Sequence, residues 1–463
     1  MITGRRSALD LVGEHLQRIK QLDPHLNAAT TVLEEQALAA AAAPCPGPLA
    51  GLPISVKETF ALGGHTITAG SLRMPPVAAQ RDAAAVARLK AAGAIVVARA
   101  NVPEFVMAGE TDNPRYGRTN NPWAAERTCG GSSGGDGALV ASACVAAGLG
   151  SDILGSIRIP ASFCGVVGFK PASAAVNKRD SWPSLDGLFT DSWLAVGPIA
   201  RSVRDIRLLY GVLAESPLPA PAPIAGHRLI LPTDFPLAYR DPAIPAALNA
   251  GQQALIAAGM QPERAVLGDI RRWYRTMVRY LAWELMPLLQ AGLTNAGGEA
   301  FSLWREGLSR LRGGGDIYEG LYRLLLVGPM VRYRRASSAH KAAALLETAR
   351  ISVRKCLGQD GVMLLPTLGL LAPRHGEMNR LSLRPGVNRL MTPVTLCNYL
   401  DLPAISVPAW RCRDAQSGLA PGLMLVSAPG AEGLLLDAAL ALEAAVGAPQ
   451  AHDEPRAESV SRN

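Results

Sequence analysis

Lysine is scarce in this chain. Of the 46 basic residues, only Lys20, Lys57, Lys90, Lys170, Lys178, Lys341 and Lys355 are lysine, and the rest are arginine. Each remaining lysine therefore invites a question. Charged residues are few altogether, 18% against 49% hydrophobic, which excludes a disordered, solvating chain. Long apolar runs are missing too. No run reaches the ~18 residues that span a bilayer, and the most apolar windows, 139–149 and 324–331, are short and broken by Gly or Pro. The start, Met1-Ile2-Thr3-Gly4-Arg5-Arg6, leads into an amphipathic stretch without a signal-peptide core, so a cytoplasmic protein with no membrane span is expected. The seven cysteines are odd in number and include no Cys-x-x-Cys pair or His/Cys cluster. That excludes a disulfide framework and a zinc site, and no metal is expected. The net charge is +8, with arginines densest at Arg271, Arg272, Arg275 and Arg279 and again at Arg332, Arg334 and Arg335. A nucleic-acid surface is one use for such a group. A solvated arginine-rich face explains it more simply, and no nucleic-acid partner is expected.

The 463 residues present are enough for a large core, in two or three domains or one continuous α/β unit. Residues 6–20 read as a helix with Leu9, Val12, Leu16 and Ile19 on one face, and 31–43 as a second helix. Ile54-Ser55-Val56 reads as a strand. Asp82 is a candidate cap for a helix ending at Gly93, and Ala94–Val97 is a buried strand. Helix and strand in alternation predict α/β architecture, a sheet covered by helices. Residues 197–202 read as a turn before a helix to about 214. The segment Pro217–Pro223 is either a domain linker or a surface crossing within one sheet. From about 241 to 358 the pattern is mostly helical, broken at Gly313-Gly314-Gly315. Strands follow near 362–367, 405–408 and 423–426, then a helix over 431–446 and a polar tail from Pro449.

The densest chemistry lies in Arg127-Thr128-Cys129-Gly130-Gly131-Ser132-Ser133-Gly134-Gly135-Asp136. A flexible linker has polar flanks, but this segment runs into the apolar stretch Ala138–Ala147. A second Gly-Ser pair, Gly155-Ser156, follows 24 residues after Ser132. Two glycine-flanked hydroxyls around a buried segment suggest an active site whose backbone amides face an anion. Gly130-x-Ser132-x-Gly134 fits a nucleophile elbow, which needs a preceding strand, an acid and a histidine. A loop precedes Ser132, and His227, His340, His375 and His452 sit in no segment built around them. A phosphate cradle needs Gly-Lys-Ser/Thr after its glycines, and here Asp136 stands in the way. That leaves Lys57, at the end of an apolar strand. It reads as a structural ion-pair partner of Glu58 or Asp136. The other reading is a buried amine whose pKa falls on desolvation until it can accept a serine proton.

Together these segments resemble the amidase signature family of serine hydrolases. The resemblance covers about residues 8–446. It is carried by Gly51–Lys57, Asn101-Val102-Pro103-Glu104, Asn121-Pro122-Trp123, Gly130–Gly135, Gly155–Arg158, Gly168–Pro171, Gly197–Ser202 and Leu402–Pro408. Ser151-Asp152-Ile153 and Ile159–Gly165 look most like the fatty-acid-amide-hydrolase branch. The resemblance implies one α/β/α domain around a central mixed sheet over 1–448, with a signature core at about 45–215. Residues 241–358 would shape an acyl channel suited to an apolar or aryl group, and 449–463 form a flexible tail.

The resemblance further implies a cofactor-free amidase that cleaves a carboxamide through an acyl-enzyme. Ser156 matches the nucleophile, Ser132 the bridging serine after a cis peptide bond, and Lys57 the base. The amides of Ile153, Leu154, Gly155 and Ser156 match the oxyanion hole. Val106, with Ser132, matches the substrate site, while Asp152, Ser133 and Arg158 match loop supports. The partner is a small-molecule amide, and a homodimer is an admitted assembly. Two rivals share the fold: a transferase or amidotransferase subunit, and a non-catalytic binding protein on a degenerate scaffold. Two residues depart from the family. Leu154 stands where it usually has a small residue, and is strained there if φ is positive. Cys129 stands where it often has proline.

Overall fold

The computed structural model describes residues 6–294, 299–381 and 388–447; the tail expected at 449–463 lies outside them. The strands in chain order are β1 (Ala29–Val32), β2 (Pro53–Lys57), β3 (Ile95–Ala100), β4 (Asn120–Asn121), β5 (Ala124–Thr128), β6 (Ala147–Asp152), β7 (Val167–Lys170), β8 (Ala195–Ala200), β9 (Arg228–Pro232), β10 (Gln261–Ala265), β11 (Gly361–Pro366), β12 (Ala404–Pro408) and β13 (Gly422–Val426). β4 and β5 form a small hairpin. The other eleven make one sheet in the order β1-β3-β2-β6-β8-β7-β12-β13-β11-β9-β10. The sheet is mixed: β3, β2 and β6 run parallel, as do β11, β9 and β10, while β6 to β13 alternate through antiparallel neighbours. This is the α/β architecture expected.

Every residue of β2, β3, β6, β7, β8, β11, β12 and β13 is buried. Such strands are apolar on both faces because helices cover both faces. The period-2 alternation separates the two. Val362 and Leu364 join Leu423 and Leu425 in one core, against the helices Val203–Leu213, Ala243–Ala257 and Glu432–Val446. Met363 and Leu365 join Met424 and Val426 in another, against Ile270–Gly292 and Ala336–Leu357. In β2 the same alternation sends Ile54 and Val56 into the first core. Ser55 and Lys57 therefore share the opposite face.

Several expectations change. The first helix runs over Ala8–Leu26, capped by Ser7 in a capping box with Asp10. Val12, Leu16 and Ile19 are buried as expected, but Leu9 is exposed and Ala8 takes the inward place. Thr31 and Val32 belong to β1, and the second helix is Glu34–Ala42. Asp82 does not cap its helix, which starts at Ala84; its carboxylate accepts from Gly63 N and Lys90 Nζ instead. The turn expected at 197–202 is mostly β8, because Gly197 and Pro198 read as turn punctuation. There β6 pairs Leu149 with Pro198, and the ladder to β7 stops at Ile199, just short of the residue that cannot donate. β10 interrupts the mostly helical 241–358 region. The segment Pro217–Pro223 is a crossing within the fold, since it leads from the helix after β8 to β9 of the same sheet.

Candidate active site

Lys57 ends β2, and Ser151 and Asp152 end β6, its parallel neighbour. The carboxyl ends of adjacent parallel strands are where open α/β sheets expose loops for chemistry. The loop after β5 brings Ser132 over this edge. The Gly131–Ser132 bond is cis. The helix Gly134–Ala141 starts at once, so the glycine-rich segment is packed and rigid. A Cβ on Gly135 would lie 2.3 Å from Asn101 N, closer than real contacts allow. Close approach, and not flexibility, explains the glycines.

Lys57 is fully buried. Its Nζ donates to Ser132 Oγ at 2.7 Å, to Ser151 Oγ at 3.0 Å and to the Ser151 carbonyl at 3.2 Å. It makes no ion pair with either carboxylate weighed as its partner. Glu58 pairs with Arg99 at 3.5 Å and accepts from Thr68 and Ala69. Asp136 Oδ1 accepts from Ser55 Oγ at 2.7 Å, and its buried Oδ2 has no hydrogen-bond partner. Burial pushes the Lys57 pKa down, against the opposing pull of Asp136 and Asp152 nearby. Burial likewise pushes the Asp136 carboxyl up, against its bond from Ser55 and the charge of Lys57.

Ser156 lies in the turn after β6 and retains 9% exposure, against 1% for Ser132. Ser133 joins the two serine segments, its N–H donating to the Ser156 carbonyl at 3.0 Å and its hydroxyl to the Ser151 carbonyl at 3.4 Å. Asp152 anchors the same turn. Its carboxylate accepts from Gly155 N at 2.7 Å and Ile157 N at 3.1 Å, and pairs with Arg158 through two 3.0 Å bonds. Burial alone would raise the Asp152 pKa, but Arg158 and Asn398 outweigh it and hold it well below the usual carboxylate range. Asn398 bonds Arg158, Asp152 and the Trp193 carbonyl.

Of the four amides matched to an oxyanion hole, Gly155 is taken by Asp152. Those of Ile153, Leu154 and Ser156 have no acceptor among the described residues. The left-handed residue in this turn is Gly155, at φ 108°, and a Cβ there would meet Val394 at 2.6 Å. Leu154 is not in a positive-φ conformation, so the strain it would suffer there does not arise. Its side chain, part-exposed, packs against the buried cluster that holds Ile153. Val106 is buried in a single 3-10 turn, with φ 51° next to Phe105 at 52°. Cys129 is a buried free thiol, pushed up to about 12 by burial.

Sequence reasoning missed Ser151 and Asn398. Ser151 opens the motif Ser151-Asp152-Ile153, with no local sign that β6 would aim its hydroxyl at Lys57. Asn398 comes from the distant helix Asn388–Tyr399.

The amidase family model matches residues 10–436. The chain is 34% identical to a glutamyl-tRNA(Gln) amidotransferase subunit of Thermus thermophilus, covering 96% of this chain and 94% of the relative. It is 30% identical to indoleacetamide hydrolase of Bradyrhizobium diazoefficiens, over 96% of this chain and 84% of that protein. The fold is similar to the structure of 6-aminohexanoate cyclic dimer hydrolase complexed with substrate, with a TM-score of 0.80 at 25% identity, covering 98% and 96% of the two chains.

Proposed function

This chain belongs to the amidase family, and we propose that it hydrolyses a carboxamide C–N bond through an acyl-enzyme on Ser156. The observation that carries this reading is the 2.7 Å bond from a buried, charge-unpaired Lys57 to Ser132 Oγ, one segment away from Ser156. In this mechanism Ser156 Oγ attacks the amide carbonyl. Its proton passes to Ser132 Oγ while Ser132 gives its own to neutral Lys57, and the same relay returns a proton to the departing amine. Water then attacks the acyl-enzyme by the same route and releases the carboxylate. The free amides of Ile153, Leu154 and Ser156 stabilise the tetrahedral oxyanion, where losing one donor typically costs about 2.7–4 kcal/mol. The Asp152–Arg158–Asn398 network holds the loop that presents them.

The finer assignments are proposals of the same kind. Residues 1–448 act as one amidase domain, Val106 lines the substrate site, and the branch is the one that resembles fatty-acid-amide hydrolases. The setting is cytoplasmic, with a homodimer as the assembly. No helix among the described residues is long and apolar enough to cross a membrane. A second reading is favoured by the relative named as an amidotransferase subunit: release of ammonia to a partner protein. The non-catalytic reading loses its motive, since Leu154 needs no left-handed backbone. The test is a hydrolysis screen over primary amides, anilides and N-acyl amines of graded chain length. Turnover of at least one class, lost in Ser156→Ala, is expected. No turnover except of glutamine, and only with a copurified partner, would overturn it in favour of the second reading.

A further inference from the structure

A cavity of about 600 Å³ opens beside the helix Ile270–Gly292, away from the Lys57–Ser132 pair. Its apolar wall is Leu188, Trp283, Leu288 and Tyr333, and Arg332 and Arg334 also line it. The volume lies within the range of small-molecule sites, ~300–1,000 Å³, and an apolar wall with a few polar groups is their usual make-up. Cations outnumber carboxylates in the lining. Arg332 and Arg334 have no ion pair and no side-chain hydrogen bond among the described residues. The one carboxylate in the lining, Glu284, is already satisfied. Its Oε1 accepts from Phe189 N and Tyr280 Oη, and its Oε2 from Thr190 N and Thr190 Oγ1.

The loop that carries the arginines is tied down. Arg279 sits over the Tyr333 ring at 4.5 Å and donates to the Val331 carbonyl at 3.2 Å. Tyr333, which lies between Arg332 and Arg334 in the chain, is thereby held at the cavity. The wall residues Leu188, Trp283 and Tyr333 pack against the same buried cluster that holds Ile153 and supports Leu154 of the proposed oxyanion segment. The arginine-rich stretch is the solvated face its sequence suggests, with Arg334 exposed and Arg332 half-buried, and it sets both cations at the mouth of an aromatic cavity.

We propose that this cavity is a substrate subsite that takes the far end of a carboxylate-bearing amide, its apolar or aryl body against Trp283 and Tyr333 and its carboxylate on Arg332 and Arg334. Guanidinium groups suit this task because they present a planar fork of donors that matches a carboxylate. The inference rests on the amidase reading above, and goes beyond it by naming the charge at the distal end of the substrate.

The test uses the full chain carrying Ser156→Ala, which on the amidase reading binds the amide without turning it over. Monoanilides of glutaric, adipic, suberic and sebacic acids are titrated by calorimetry against their methyl esters. At least one free acid should bind roughly tenfold more tightly than its ester, and that gap should close in the variant also carrying Arg332→Ala and Arg334→Ala. Equal binding of every acid and its ester, or a gap that survives both arginine replacements, overturns the proposal. In the chain with Ser156 intact, the preferred acid should show a lower KM than its ester at similar kcat, and the arginine variant should lose only the KM difference. Binding with no turnover would count against the amidase reading and leave the subsite standing. Turnover without the acid preference would do the reverse.

Discussion

Lys57 and Lys170 end two strands of the same sheet, both fully buried, and both have pKa values pushed down by burial. Their surroundings differ. Lys170 donates to two backbone carbonyls, those of Pro171 at 3.0 Å and Leu402 at 3.1 Å, neither of which can take or return a proton. Lys57 donates to two hydroxyls, on Ser132 and Ser151. Burial alone therefore does not make a base. In the proposed mechanism a lysine becomes one when the group it touches is itself a proton carrier leading to the nucleophile. Lys170 is better described as a tie between β7 and the segment before β12.

The comparison breaks most sharply under truncation. Lys57→Ala should lower kcat about 10²–10⁴-fold, the usual worth of general base catalysis, in steady-state amide hydrolysis at neutral pH. Lys170→Met should leave kcat near that of the parent. It should instead lower unfolding free energy in urea by about 1–3 kcal/mol, because two buried carbonyls lose their donor. Near-full activity in the Lys57 variant, or a large kcat loss in the Lys170 variant, would erase the distinction. The next effect is on the loop that holds Ser156. Arg158→Met leaves the Asp152 carboxylate buried and unpaired, and should destabilise the protein by about 3–5 kcal/mol in the same denaturation experiment.

A subtler effect concerns protonation. The rate should rise with pH as Lys57 loses its proton, and burial moves that limb below the ordinary lysine range. Asp136 opposes the shift by favouring charged Lys57. Asp136→Asn removes that charge, so the rising limb of kcat/KM should move to lower pH. A shift to higher pH, or none, would mean that Asp136 does not act on Lys57. The smallest effect is at Leu154. Leu154→Gly removes a part-exposed side chain from the proposed oxyanion segment, and should broaden acyl-chain tolerance in a graded anilide series. An unchanged profile would show that the side chain does not bound the acyl site.

Much of the candidate site was legible as contiguous segments, while the roles proposed for Lys57, Ser132 and Ser156 came from the family those segments resemble. Lys57, Ser132 and Ser156 each sit at a strand end or glycine turn whose residue types are themselves unusual. The fold class followed from alternating helical and buried-strand patterns. What escaped detection depends on tertiary placement. β8 looked like a turn because Pro198 and Gly197 are turn residues by local preference, and only its position between β6 and β7 makes them a strand. Asn398 reaches Asp152 and Arg158 from the far end of the chain. Arg332 and Arg334 differ from other arginines only in what the helix Ile270–Gly292 sets beside them.

The central claim is that Ser156 reacts and Ser132 relays. Fluorophosphonate labelling followed by intact mass and peptide mapping tests it directly. The account predicts one adduct on Ser156 in the parent chain, none in Ser156→Ala, and slow labelling still confined to Ser156 in Ser132→Ala. An adduct that persists in Ser156→Ala and maps to Ser132 would contradict it.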